Sequence, residues 1–159
     1  MRARKMKLVL MVEDEYGNAE VLQLLLEAEG YRVAFAANGK AGLELLAGEK
    51  PAVIISDFMM PHLTGAELGQ AVRANPLLAD IPFVMVSGTT ESVVQDAFAE
   101  YDAFVPKPFV ADALLALVSH LIATGRPKRR AAESADGRDA IESDPTLQSL
   151  LQRLKLPPA

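Results

Sequence analysis

The sequence predicts an α/β domain in which a parallel sheet is covered by helices on both faces, and three observations carry that prediction. Short apolar runs alternate with helix-patterned stretches five times within about 120 residues. The runs are continuous rather than alternating with polar residues, as strands buried on both faces require. The residues with chemistry to offer stand just after these runs, at the carboxyl edge of such a sheet, where ligands bind in open parallel sheets.

"KLVLMV" (7–12) is the first strand. A helix follows over 18–29, with Val21, Leu22, Leu24, Leu25, Leu26 and Ala28 as its apolar residues and Gly30 as its C-terminal stop. "YRVAFA" (31–36) is the second strand and 39–48 the second helix; "AVIIS" (52–56) and 64–74 repeat the unit. "PFVMVS" (82–87) precedes a helix at 91–100, and "DAFV" (102–105) precedes one at 110–123. Such units join into a parallel sheet through right-handed crossovers.

A chain of 159 residues, 50% hydrophobic and 23% charged, buries one core. No apolar run approaches the ~18 residues that span a bilayer. The basic start "MRARKMK" leads into only five apolar residues before "EDE", too few for a signal peptide. The expectation is a cytoplasmic protein with no membrane partner. Without cysteine, disulfides and thiolate chemistry are excluded, and carboxylates with His62 and His120 are the metal-binding repertoire. Any metal should be a hard cation.

The net charge of −5 conceals an asymmetry. Residues 8–124 hold five basic groups against sixteen acidic ones, a net of −11, while 1–7 carry +4 and 125–159 carry +2. Phosphate backbones are bound by Lys and Arg, so an acidic body excludes DNA binding by the core. The cluster "RPKRR" (126–130) reads as a solvated linker.

The strand ends carry Glu13, Asp14 and Glu15 after the first, Asp57 after the third, Ser87 with Gly88, Thr89 and Thr90 after the fourth, and Pro106, Lys107 and Pro108 after the fifth. A nucleotide or flavin phosphate wants a glycine-rich, acid-free turn after the first strand. Three carboxylates there repel phosphate. Carboxylates converging from two strand ends instead form an oxygen-only pocket for Mg²⁺. Beside that ion Asp57 becomes a nucleophile toward phosphorus, with Lys107 as a point charge and Ser87 as a hydroxyl donor for the transferred group. Each residue alone is weak evidence; the combination across four strand ends carries the weight.

The order "VED" (12–14), "SDFMMPHLTG" (56–65), "VSG" (86–88) and "FVPKPF" (104–109) resembles the receiver domain of bacterial two-component response regulators, chemotaxis receivers included. The resemblance covers about residues 6–124. It implies a flavodoxin-like, doubly wound, five-stranded parallel sheet of order 2-1-3-4-5. It implies phosphorylation at Asp57, Mg²⁺ held directly by Asp14 and Asp57, by Glu13 through water and by the backbone carbonyl of Met59, and phosphoryl contacts from Ser87 and Lys107. It further implies a cis peptide before Pro108 and a switch in which Phe104 rotates inward as Ser87 moves; the alternative reading of Phe104 is plain core. His62 reads as an exposed loop residue. The partner implied is a histidine kinase or phosphotransfer protein, with an unknown protein as downstream target.

Two departures matter. Glu100 stands where many receivers have a glycine closing the fourth helix, so that end should be shaped differently. Met59 is not acidic, whereas phosphatases of the haloacid dehalogenase type place a second aspartate two residues after the nucleophile. The expectation is therefore a switch and not an enzyme.

After a domain over 1–124, residues 125–143 read as a flexible linker and 144–156 as a short amphipathic helix, capped by Asp144 and carrying Leu147, Leu150, Leu151 and Leu154. Such a helix is marginal alone and needs a surface to pack on. The helix at 110–123 is apolar around most of its circumference and lacks Lys and Arg, so a dimer mate or the tail should cover its outer face. The tail is too short for a DNA-binding or catalytic output domain, which suggests a stand-alone receiver acting by protein–protein contact. The alternative is a receiver-fold scaffold whose binding does not depend on phosphate.

Overall fold

The computed structural model describes residues 6–127, 129–130, 140–141 and 144–155. Five parallel strands, β1 (Leu8–Val12), β2 (Arg32–Ala36), β3 (Val53–Asp57), β4 (Phe83–Ser87) and β5 (Ala103–Pro106), form one sheet in the order β2-β1-β3-β4-β5. This is the flavodoxin-like order. Helices α1 (Tyr16–Ala28), α2 (Gly39–Gly48), α3 (Gly65–Ala74), α4 (Glu91–Ala97) and α5 (Ala111–Thr124) make the crossovers. Beyond them, β6 (Arg129–Arg130) pairs antiparallel with β7 (Ala140–Ile141), and α6 (Pro145–Lys155) completes the described chain. Most of the expected linker, and residues 1–5 and 156–159, lie outside the described residues.

Side chains alternate across a strand, and the two faces of the sheet are apolar in step. Val9 and Met11, Val53 and Ile55, Val84 and Val86, and Ala103 and Val105 face α1 and α5 in one core. Leu10 and Val12, Ile54, Phe83 and Met85, and Phe104 share the other core with Leu68, Val72 and Val94 of α3 and α4. β3 and β4, at the centre, are buried throughout, which is why their sequences lack polar alternation.

Helix ends follow local chemistry. Gly30, at φ 94°, closes α1: its N–H donates to Glu27 O at 3.0 Å and that of Tyr31 to Leu26 O at 3.1 Å, the paired bonds of a left-handed C-terminal stop. Thr64 and Glu67 form a capping box at α3, and the Asn38 side chain caps α2 by accepting from Ala41 N at 2.8 Å. α4 is shorter than the sequence pattern suggests, ending at Ala97 instead of reaching residue 100. Phe98 turns inward, edge-on to Phe83 with ring centroids 5.4 Å apart and against Gly69, and this burial stops the helix early.

α6 lies along α5 and β5. Leu147 and Leu154 are buried in the core of α5, with Leu150 and Leu151 half-buried beside it. With α1 on its other flank, α5 exposes only Asp112, Ala123 and Thr124. His120 Nε2 of α5 and Asp144 Oδ2 are 2.9 Å apart, and Asp144 Oδ1 accepts from Leu147 N at 3.0 Å to cap α6. Just before β5, Asp102 is fully buried and clamped: Arg73 bonds Oδ2 at 2.9 Å, Phe83 N donates to the same oxygen at 2.8 Å, and Arg126 Nε bonds Oδ1 at 3.0 Å. A buried carboxylate tolerates desolvation only with partners of this kind.

Candidate phosphoacceptor and metal site

Glu13 continues the parity of Val9 and Met11, Asp57 that of Val53 and Ile55, and Lys107 that of Ala103 and Val105. Strand alternation therefore delivers all three to one face of the carboxyl edge. Asp57 is buried, at 7% exposure, as the last residue of β3. Lys107 Nζ stands 3.2 Å from Asp57 Oδ2 and 3.4 Å from Glu13 Oε2. Glu13 Oε1 also accepts the N–H of Glu15 at 3.2 Å. Asp14 is exposed, yet Glu13, Asp14 and Asp57 each place a carboxylate oxygen such that all three lie within 4.8 Å of one another. Three converging carboxylate oxygens with open solvent on one side suit a hard divalent cation, which keeps waters and takes few protein ligands.

The crowding shows in the electrostatics. Burial first, and the Asp57 charge second, raise the Glu13 carboxyl from 4.5 to about 7. For Lys107, burial alone lowers the ammonium's pKa, but the charges of Asp57 and Glu13 outweigh it and hold it above its ordinary value. Lys107 thus stays a cation beside Asp57.

Ser87, buried at the end of β4, falls on the opposite parity, the face of Met85 and Phe104. Its Oγ accepts from Thr89 N at 2.9 Å, which leaves its own proton to donate, and its carbonyl accepts Lys107 N at 2.9 Å. Phe104 is buried, tilted against Tyr101 with ring centroids 6.2 Å apart. The Lys107–Pro108 peptide is cis. Met59, two residues after Asp57, has an exposed side chain, as does His62, whose φ is 71°.

Gly65 is a further determinant that motif reading passed over, although it closes the quoted "SDFMMPHLTG". A Cβ there would sit 2.2 Å from the carbonyl oxygen of Asp57 and 3.0 Å from Met85 Sδ. Only glycine lets α3 start this close to Asp57; its N–H donates to Phe58 O at 2.9 Å. Next to the carboxylates a cavity of about 600 Å³ runs down between α1 and the loop after β5, with Val21, Leu22, Pro108 and Phe109 among its walls. His120 stands outside the site, bonded to Asp144.

Comparison with known proteins agrees with this geometry. Residues 9–119 match the family model for the response regulator receiver domain. Response regulator Rre1 of Synechocystis sp. is 33% identical over 150 residues, covering 92% of this chain and 61% of that protein. Response regulator MprA of Mycolicibacterium vanbaalenii is 33% identical over 131 residues, covering 80% of this chain and 55% of that protein. The chain thus spans less than two thirds of the length of these curated relatives. Among solved structures, a response regulator from Chloroflexus aurantiacus, described as putative, superposes with a TM-score of 0.69 at 30% identity, over 75% of this chain and 99% of that one. Chemotaxis response regulator CheY4 of Vibrio cholerae gives 0.68 at 28% identity, over 74% and 99%. With matching family model, strand order and acidic strand ends, this chain belongs to the response regulator receiver domain family.

Proposed function

We propose that the chain is a phosphorylation-dependent switch whose Asp57 accepts a phosphoryl group from the phosphohistidine of a cytoplasmic histidine kinase or phosphotransfer protein. The observation that carries this reading is the 3.2 Å pairing of Lys107 with a buried Asp57 inside a cluster of three carboxylates. A carboxylate oxygen of Asp57 bonds to phosphorus as the P–N bond breaks, and its electron pair stays on the donor's imidazole. Lys107 moves with the transferred oxygens as a point charge, and the Ser87 hydroxyl donates to one of them. Glu13, Asp14 and Asp57, with the Met59 carbonyl, would hold Mg²⁺. Bound there, Mg²⁺ supplies the positive charge that lets an acidic site accept a phosphate.

Met59 offers no acid two residues from Asp57, which supports a switch rather than a phosphatase. Phe104 lies on the same face as Ser87, so a hydroxyl drawn toward the phosphoryl group frees space for that ring. Output then passes by protein–protein contact. None of the described helices is long and apolar enough to cross a membrane. Incubation with a small acyl-phosphate donor and Mg²⁺ tests the reading. A mass gain of one phosphate that chelation abolishes supports it; no gain would leave a phosphate-independent scaffold as the better account.

A further inference from the structure

β5 is four residues long and is gripped at both ends. At its carboxyl end Lys107 is paired with Asp57 at 3.2 Å and Glu13 at 3.4 Å, and its N–H is tied to Ser87 O at 2.9 Å. At its amino end Asp102 is held by Arg126, which belongs to the segment leaving α5, through a 3.0 Å bond; the same guanidinium donates to Ala79 O at 3.1 Å. Between these ends Ala103 and Val105 share a core with Leu147 and Leu154 of α6. One short strand therefore carries both the cation that reads the charge on Asp57 and the seat of the C-terminal helix.

At 11 residues α6 is too short to persist without its seat. Among the described residues it is fixed by buried Leu147 and Leu154 with half-buried Leu150 and Leu151 beside them, by the 2.9 Å bond between His120 and Asp144, and, at the segment leaving α5, by the Arg126 anchor. Beneath it lie α5 and β5, and Leu114, Leu117 and Val118 of α5 belong to the same core as its leucines. Packed interfaces respond to displacement by switching rather than by stretching. A change in where Lys107 sits thus changes how well α6 fits.

We propose that α6 is a strap over the apolar face made by β5 and α5, and that the position Lys107 takes against Asp57 sets how firmly it is held. The inference rests on the reading of Asp57 as the phosphoacceptor. A phosphoryl group adds negative charge and three acceptor oxygens beyond the carboxylate. Lys107 follows them, Pro106 and β5 follow Lys107, and the strap loses its fit, uncovering the flank of α5. By linkage, a strap held shut opposes phosphorylation to the same degree.

Hydrogen exchange of the full chain tests this without requiring phosphorylation. Asp57→Asn removes the nearer of the two carboxylates that position Lys107 and leaves it to Glu13 alone. Amides of 147–155 should then exchange roughly 5-fold faster or more than in the wild type, the scale of an ordinary coupling, while those of α2 do not change. Leu147→Glu, which unseats the helix directly, marks the upper limit. Equal exchange of 147–155 in wild type and Asp57→Asn overturns the strap, as does a matching rise in α2, which would mean global loosening. A second arm treats the wild type with an acyl-phosphate donor and Mg²⁺ and takes a mass spectrum of the same sample. A phosphate gain with faster exchange of 147–155 supports the strap, and a gain with unchanged exchange overturns it while the phosphoacceptor reading stands. No gain contradicts that reading, and the Asp57→Asn arm still decides on the strap.

Discussion

Lys107 and Asp57 pair at 3.2 Å although they end strands that are not neighbours, since β4 lies between β3 and β5. The lysine must reach across the end of β4, and the bond from its N–H to Ser87 O holds the backbone where that reach is possible. Lys107→Gln keeps length and a donor but removes the charge. It should lower the rate of Asp57 phosphorylation by a small donor about 10²-fold, the usual cost of losing one group that stabilises transferred charge. A rate within a few-fold of wild type would mean that the pairing is structural only.

Glu13 makes stability depend on pH in the metal-free chain. Its carboxyl is raised from 4.5 to about 7 in the folded state, so its contribution is fully present below 4.5 and is lost as pH rises through 7. Melting wild type and Glu13→Gln in chelator from pH 5 to pH 8 reads this directly. The wild type should lose stability relative to the variant across that window. A constant difference between them would show that burial beside Asp57 does not perturb Glu13.

Gly65→Ala forces a methyl group to within 2.2 Å of the Asp57 carbonyl oxygen. Backbone cannot yield there as a flexible side chain would, so the loss should be at the upper end of overpacking penalties, about 3 kcal/mol. Urea denaturation measures it. A variant as stable as wild type would show that α3 starts farther from Asp57.

Asp102→Ala strands two guanidinium groups around a fully buried position, where Arg73 and Arg126 now find their carboxylate. Breaking a buried pair from one side costs about 3–5 kcal/mol, and denaturation should show a loss of that size. Arg126→Ala should cost less, because Arg126 is 22% exposed and Arg73, at 5%, keeps the other carboxylate oxygen paired.

Much of the fold and of the acidic edge was legible because both rest on local pattern. Buried parallel strands read as apolar runs, and strand parity then aligns Glu13, Asp57 and Lys107 without further information. The end of α4 was not legible in that way. Glu100 signalled an altered end, but the early stop at Ala97 depends on Phe98 meeting Phe83, a contact that no local period encodes. Asp102 was read only as the first residue of "DAFV"; its two arginines come from positions 29 residues earlier and 24 later. The leucines of 145–155 announced an amphipathic helix, and the greasy α5 announced a covered one. That the two meet along β5 is a tertiary fact. Gly65 was visible as a letter, but its need for a bare Cα appears only when α3 is set against Asp57.

Among the carboxylates at this edge, Asp57 is the one proposed to form the acyl phosphate. Borohydride reduces an aspartyl phosphate to homoserine, so trapping after incubation with an acyl-phosphate donor and Mg²⁺, followed by peptide mass mapping, reports the position itself. Homoserine is expected at position 57 in the wild type and at no position in Asp57→Asn. Homoserine at position 14, equal trapping in the variant, or none in the wild type would contradict it.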